Sequence, residues 1–387
     1  MNFITFLLFA LSAMITLSVD IYIPAIPEIK AYFQASEQAA QMSFGLGFIA
    51  SSVGGIIFGP LSDRLGRRPI LMSTAFITLA GCFLCAFSVS IEMFNISRVI
   101  QCIGIGGSWV VSYAILAEAY DETKNALMVS YMGTFQTATY VIAPILGGFV
   151  AEYLGWKWCF LVITIGLFPL LITAIRFFPE TLKEKNHHTM FQTYVQLFHM
   201  AQNPYFITLG LVLSLVIGGL LLPVSSLPSV FKGLGIHEKS FGLFLGAIPI
   251  AETLTTFVTR DLIKKYGLDF VLKCGLAFAV LGGLVFFYVA IVFPENPYLI
   301  MLSLAVFSVA LPMIFPPVIS RCLSIFPDQK GTASALLSSL RYLVIGLCGY
   351  LGSVVYDNTL IPAAICMMVI SVLAVIMWKM SQWYIAR

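Results

Sequence analysis

Charge is what this sequence has least of: Asp, Glu, Lys and Arg make up only 10% of its 387 residues. A soluble domain carries about 25%, so water is not the main solvent of this chain. Histidine is scarcer still, with four residues. His187 and His188 adjoin in a polar stretch, and two neighbours alone do not build a metal site. The acids stand singly, without the convergent nucleophile–base or metal constellation of an enzyme. No GxxxxGK[ST] loop occurs, so there is no sign of an ATP engine. The net charge of +3 is spread over loops and forms no basic face for nucleic acid. A substantial soluble segment, which a receptor usually carries, is missing. Cysteine is present eight times, nearly always inside apolar runs, and Cys82 and Cys85 form a CxxC in mid-run. Redox or metal chemistry needs thiolates, which hydrocarbon disfavours, so these cysteines read as small packing residues.

What the sequence has is apolar length. Hydrophobic residues make up 59% and mean hydropathy is +0.96. Crossing a ~30 Å hydrocarbon core takes roughly 20 apolar residues in a helix. Apolar runs, cut at charges and at Pro/Gly turns, cover residues 3–25, 38–59, 70–90, 93–118, 127–151 and 157–178. After the polar stretch from Glu180 to about Asn203, six more cover 205–226, 240–260, 270–292, 298–320, 332–355 and 360–383. A spanning β-barrel would show short alternating segments instead. The expected fold is therefore an all-α membrane protein with twelve transmembrane helices in two six-helix, pseudo-symmetric halves. The halves are residues 1–178 and 204–387, joined by a central loop over 179–203. The first run follows Met1 without the basic region of a secretory signal and continues through Asp20 to Pro24, so it reads as a retained helix.

Loop charge sets the expected orientation. One side of the membrane receives Arg64, Arg67, Arg68, Lys124, Arg176, Lys183, Lys185, Arg260, Lys264, Lys265, Lys273, Arg321, Lys330, Lys379 and Arg387. The other receives only Lys30, Lys157, Lys232 and Lys239. Both termini and the central loop are expected on the cytoplasmic side. A weak internal echo fits duplication: GPLSDRLGRRPIL (59–71) after the second run and TRDLIKKYG (259–267) after the eighth are both short basic loops with one Asp and a Gly.

The first of these loops is the most specific local signal. Gly59 and Gly66 permit tight turns, Pro60 stiffens the helix exit, and Asp63 stands among Arg64, Arg67 and Arg68. A solvated anchor would need the arginines, but not the Asp and glycines at these spacings. The loop resembles the signature loop of the major facilitator superfamily. DIYIPAIP (20–27) resembles the first-helix motif of bicyclomycin/chloramphenicol-type (Bcr/CflA) drug:proton antiporters, and RVIQ (98–101) with Gly104 and Gly106 resembles their fourth-helix motif. Cys102 stands where that motif usually has Gly. Ala143, Pro144, Gly147 and Gly148 in the fifth run are similar to the motif associated with antiport direction, with Ala143 where the superfamily usually has Gly. GWKW (155–158), PETL (179–182) and GTASA (331–335) also fit, so the resemblance covers essentially the whole chain. It implies that the 59–71 loop latches the two halves, with Asp63 facing the dipole at the start of the eleventh helix and Arg67 pairing with Glu118 or Asp121.

Charges inside the runs point to working parts on physical grounds alone. A charged residue near a helix centre costs roughly 2.5–3.5 kcal/mol on insertion scales. Asp20 in the first run and Arg98 in the fourth fall at similar depth and are expected to approach each other, with Asp20 taking up the coupling proton. A purely structural ion pair is the alternative. Glu252 in the eighth run reads as a second protonatable site, a contact for cationic substrate, or a partner for Arg341 at comparable depth in the eleventh. Tyr22, Tyr113, Met132, Gln136 and Tyr140, with Arg341, are candidates for the substrate cavity. Small residues at four-residue spacing (Ser51, Gly55, Gly59; Gly104, Ser108) read as helix-packing stripes. Pro144 and the following glycines make either a hinge or a fixed kink.

The function expected from all this is proton-coupled antiport that exports small lipophilic or zwitterionic compounds by alternating access. The alternative is a transporter of one metabolite or siderophore, in either direction. The expected partners are a small-molecule substrate, protons and membrane lipid, with no cofactor beyond the proton gradient and no metal. A monomer in a bacterial inner membrane is expected.

Overall fold

The structure, a computed structural model, describes residues 3–120, 122–182, 190–326 and 329–385. The described residues are helical throughout, without strands. In chain order the helices are α1 Phe3–Asp20, α2 Ile26–Phe33, α3 Glu37–Leu65, α4 Arg67–Ala86, α5 Ile91–Ala119, α6 Glu122–Leu154 and α7 Trp156–Phe177. They continue as α8 Met190–Ala201, α9 Pro204–Val224, α10 Leu227–Gly233, α11 Glu238–Val292, α12 Pro297–Ser308, α13 Ala310–Ile325, α14 Lys330–Val355 and α15 Ile361–Ile385.

Local chemistry sets most of these boundaries. Ser36, Ser90 and Asn203 cap α3, α5 and α9 by accepting hydrogen bonds from Ala39, Met93 and Phe206 backbone N–H groups at 3.2, 3.2 and 3.0 Å. Gly66 (φ 111°) and Gly155 (φ 91°) hold the positive-φ turns between α3 and α4 and between α6 and α7. Among the described residues, eleven helices are long and apolar enough to cross a membrane. One of them, α11, has 55 residues and is broken at Gly267 (φ 80°, ψ 173°). Unbroken it would be about 80 Å long at 1.5 Å per residue, far beyond a ~30 Å core. Its two arms therefore make two crossings, and the total is the expected twelve. Gly267 closes the basic loop that echoes 59–71, so the two loops break helices at corresponding glycines.

Several boundaries differ from the sequence expectation. The first, seventh and tenth crossings continue past their apolar runs to Phe33, Gly233 and Ile325. Prolines that mark ends in sequence restart helices here, because Pro is tolerated in a first helical turn: Pro24, Pro27 and Pro228 all sit there. The 179–203 stretch contains α8, a twelve-residue helix the sequence reading treated as loop.

The two sets of crossings meet along two helix pairs, α3 with α14 and α6 with α11. Glycine decides how close they come. A Cβ on Gly45 of α3 would collide with the Tyr350 backbone of α14, and one on Gly346 would lie 2.6 Å from Ile49 N. A Cβ on Gly242 of α11 would collide with the Pro144 carbonyl of α6. Toward the other end of α3, the added Cβ at Gly55 lies 3.3 Å from Ser339 Oγ, and at Gly59 it meets only Val110 of its own half. Gly331, at the matching end of α14, has open space around it. Polar ties collect at the tight end: Gln38 Nε2 donates to the Val354 carbonyl (3.2 Å), Lys239 N donates to Glu152 Oε2 (3.1 Å), and the Ser229 hydroxyl donates to Glu37. The halves are thus closed at one end and part toward the end that carries the 59–71 loop, called the basic end below.

Candidate functional site

The first crossing is where the site begins. Helix α1 stops at Asp20, and Pro24 and Pro27 then build a short 3₁₀ turn (Ile23–Ala25) and α2. A helix end leaves carbonyls without intrahelical partners and carries partial negative charge. Arg98 of α5 meets that end. Its Nη1 donates to the Ser18 carbonyl at 3.3 Å and its Nη2 to the Val19 carbonyl at 3.4 Å. Nη1 also donates to Gln101 Oε1 at 2.6 Å, and Gln101 Nε2 reaches the Ser18 carbonyl (3.4 Å) and Cys82 Sγ (3.1 Å). The guanidinium carbon lies 4.1 Å from the Tyr22 ring centroid, an attractive cation–π geometry. Arg98 is 1% exposed, and its Nε has no partner among the described residues.

The structure brings Asp20 and Arg98 into electrostatic reach but joins them by no direct ion pair: the carboxylate has neither hydrogen bond nor salt bridge among the described residues. The arginine is instead neutralised by the helix end itself. Gly147 of α6 backs the same turn, where a Cβ would collide with the Ile21 carbonyl, and Gly148 packs 2.5 Å (as Cβ) from the Glu238 carbonyl. Helix α6 runs continuously through Ala143 and Pro144. The glycines of this motif therefore serve close approach to both the broken first crossing and α11.

A second group of residues faces the space between the halves. Tyr113 of α5 (38% exposed) donates to Gln136 Oε1 of α6 at 2.8 Å, and Gln136 Nε2 donates to Ser12 Oγ at 3.4 Å. Tyr140 of α6 is 39% exposed. From the other half comes Arg341 of α14, which is partly exposed. Its Nη2 donates to Tyr342 OH at 3.3 Å, and its guanidinium carbon lies 5.0 and 5.7 Å from the Tyr342 and Phe315 ring centroids. Tyr342 in turn packs on Trp109 of α5, centroid to centroid 4.9 Å, and on Phe48 at 6.3 Å.

Two cavity candidates are corrected by burial. Tyr22 and Met132 are both 0% exposed, so neither lines open space. Tyr22 is instead consumed by Arg98 and by Ser43, whose hydroxyl is 3.1 Å from the phenol. Their residue types suited a cavity, but the helix faces they occupy point into packing. The pair considered between Glu252 and Arg341 is not formed either: the Glu252 carboxylate has no polar partner among the described residues. Sequence reasoning missed Trp109, Tyr342 and Phe315. Trp109 follows Arg98 by eleven residues, about three helical turns, and this spacing places it on the same inward face.

At the basic end the 59–71 loop is tied within its own half. Arg67 Nη2 contacts Asp63 Oδ1 (2.6 Å) and Glu118 Oε1 (2.8 Å), and Nη1 donates to Ser62 Oγ (2.5 Å). The Glu180 carboxylate accepts from the backbone N–H groups of Arg67 (2.9 Å), Arg68 (3.3 Å), Thr181 and Leu182 (both 3.0 Å), capping α4. Arg68 Nη2 donates to the Ile175 carbonyl (2.6 Å), and Arg64 is exposed. Among the described residues no hydrogen bond or ion pair joins Asp63 to α14. Asp121, the other acid considered for Arg67, lies outside the described residues, as do His187 and His188. The small-residue stripes pack helices: Gly106 abuts the Ser51 carbonyl and Gly104 the Thr74 carbonyl.

The sequence model of the Major Facilitator Superfamily matches residues 8–349. The chain is 25% identical to a bicyclomycin resistance protein homolog of Haemophilus influenzae, over 94% of this chain and 93% of that protein. It is 25% identical to a chloramphenicol resistance protein of Pseudomonas aeruginosa, with 69% of this chain spanning only 64% of that relative's length. Multidrug resistance protein D of Escherichia coli is 23% identical over 92% of this chain and 90% of its own length. Among solved structures, a D-xylose-proton symporter covers 97% of both chains with a TM-score of 0.76 at 19% identity. A peptide transporter in complex with sulfate covers 98% of this chain and 95% of its own, with a TM-score of 0.79 at 15% identity. The chain is a multi-pass membrane transporter, not an enzyme, and it belongs to the major facilitator superfamily.

Proposed function

We propose that this transporter exports small, largely apolar compounds from the bacterial cytoplasm in exchange for protons. The observation that carries the reading is a carboxyl, Asp20, without a hydrogen-bond or ion-pair partner among the described residues, at the break of the first crossing and within the field of a buried arginine. A carboxyl so placed responds to its surroundings: desolvation disfavours its charge and the neighbouring cation favours it. Rocking of the halves moves Arg98 and the α1 end relative to open water, and the proton affinity of Asp20 changes with it. Each proton entering across 100 mV supplies about 2.3 kcal/mol, enough to drive efflux against a gradient.

The names of the resistance-associated relatives support export of drug-like cargo. The charge asymmetry of the loops supports an inner-membrane protein with both termini cytoplasmic, so the open, basic end faces the cytoplasm. In this reading Glu252 serves as a second proton site. The 59–71 loop engages α14 when that end closes, and the Ala143–Gly148 segment is the surface on which α6 and α11 part when the other end opens. No cofactor or partner subunit enters the cycle; a monomer completes it.

The test is transport by the full chain reconstituted in vesicles. With an imposed pH gradient, Asp20→Asn is expected to lose gradient-driven accumulation while still exchanging bound cargo. Full gradient-driven accumulation by Asp20→Asn would refute the assignment. Unchanged accumulation by the wild type after collapse of both pH difference and voltage would refute antiport altogether.

A further inference from the structure

The proposed site contains a cation that the coupling mechanism does not use. Arg341 stands eleven residues into α14, about 16 Å along the helix at 1.5 Å per residue, and so near mid-membrane. Charges at such depth persist when paired, neutralised by backbone or functional. Arg98 shows what full neutralisation looks like in this protein: two helix-end carbonyls, an amide oxygen and an aromatic face. Arg341 has none of the carbonyls and no acid within ion-pair distance among the described residues. Among the described residues its polar and ring partners are one phenol, Tyr342 OH, and two ring faces. That tyrosine packs on Trp109 of the opposite half, ring centroids 4.9 Å apart. Tyr113 and Tyr140 of that half are partly exposed, as is Arg341. The cation is therefore presented to the space between the halves, flanked by aromatic surface and hydrogen-bonding phenols.

We infer that the cargo carries an anionic group that pairs with Arg341 and an aromatic or apolar body that packs against Tyr342 and Phe315. A guanidinium matches a carboxylate or phosphate oxygen pair with two parallel hydrogen bonds, strengthened where water is excluded. Tyr140 supplies a donor, and the Tyr113 oxygen an acceptor, for a second polar substituent. This inference rests on the cleft being the transport site, but not on proton coupling.

The test is equilibrium binding, with no gradient, to the full-length protein in detergent. A panel of radiolabelled aromatic carboxylates is measured beside the matching primary amides, naphthalene-1-carboxylate and naphthalene-1-carboxamide among them. The wild type is expected to bind the acids at least tenfold more tightly than the amides. Arg341→Gln is expected to weaken acid binding 10- to 100-fold with less than a threefold change for amides. Arg341→Lys, which keeps the charge without the fork, is expected to fall between. Absence of any acid preference in the wild type would overturn the inference, and so would a preference that survives Arg341→Gln. Equal loss of acid and amide binding in both variants, with the protein still monodisperse, would assign Arg341 to shaping the cleft instead. Failure of the Asp20→Asn transport test leaves these binding outcomes untouched, so the two readings fail separately.

Discussion

Arg98 and Arg341 both lie deep within membrane-spanning helices, and the protein treats them in opposite ways. Arg98 is enclosed, bonded to the carbonyl end of α1 and covered by Tyr22. Arg341 is partly exposed and donates to one phenol, which packs against the other half of the molecule. An enclosed cation whose field is absorbed by a helix end stabilises a backbone break that sequence alone would make weak. A cation left without a carbonyl or an acid among the described residues is held ready for something that comes and goes. The same side chain thus marks a structural joint in one place and a binding position in the other, and the neighbours decide which.

The largest test of the contrast is removal of Arg98. Arg98→Leu leaves the Val19 carbonyl buried without its donor and takes one of two donors from the Ser18 carbonyl and from Gln101 Oε1. An unsatisfied buried group costs about 1–3 kcal/mol, a large share of the stability of many proteins. Arg98→Leu is expected to aggregate or migrate as a broad species in size-exclusion chromatography, while Arg98→Lys yields some folded protein. A monodisperse Arg98→Leu with wild-type thermal stability would erase the distinction between the two arginines.

The next effect concerns the closed end. Gly242→Ala drives a methyl into the Pro144 carbonyl across the interface of the halves, and overpacking of this kind costs typically 1–3 kcal/mol. Because the contact exists only while that end is shut, the cost falls on one conformation. A cysteine placed at Ser229, beside Glu37 at the same end, should then react faster with a membrane-impermeant maleimide in Gly242→Ala than in the parent. Equal labelling rates would mean the glycine contact does not hold the end closed. Smaller still is Glu180→Gln. It keeps the shape of the α4 cap but removes the charge at a helix N-terminus, worth about 0.3–1 kcal/mol. A drop of about a degree in thermal unfolding is expected, without change in cargo selectivity.

The fold was largely legible, and for a reason. Hydrocarbon demands long apolar runs and permits few charges, so composition and run length locate twelve crossings even though one glycine break hides inside a 55-residue helix. Gly59, Asp63, Gly66 and Arg67 were legible as a motif because a tight basic turn needs those residue types at those spacings. The site was legible only in its charges. Asp20, Arg98, Glu252 and Arg341 stand out against an apolar background, but what each one faces depends on helix rotation and on which half packs behind it. Tyr22 and Met132 were misplaced for that reason: aromatic and sulfur side chains suit a cavity and a core equally well. Arg98 was matched with an acid, whereas a broken helix supplied carbonyls, and no sequence pattern announces a backbone acceptor. α8 was missed because its surroundings are polar and it is too short to cross a membrane.

The smallest expected effect is the most informative. If Arg341 is held for cargo, its loss should scarcely change stability, because few protein contacts depend on it: one hydrogen bond, worth about 0.5–1.5 kcal/mol, partly offset by relief of an uncompensated charge. Arg341→Gln is therefore expected to unfold within a degree or two of the parent in cargo-free buffer. With saturating aromatic carboxylate the two should separate, since a ligand at 100 times its Kd stabilises by about 2.7 kcal/mol and the variant forgoes most of it. Thermal unfolding with and without ligand reads both quantities on one sample. A large loss in the cargo-free state would place Arg341 beside Arg98 as a structural cation, and the aromatic surface around it would then be packing rather than a wall of the site.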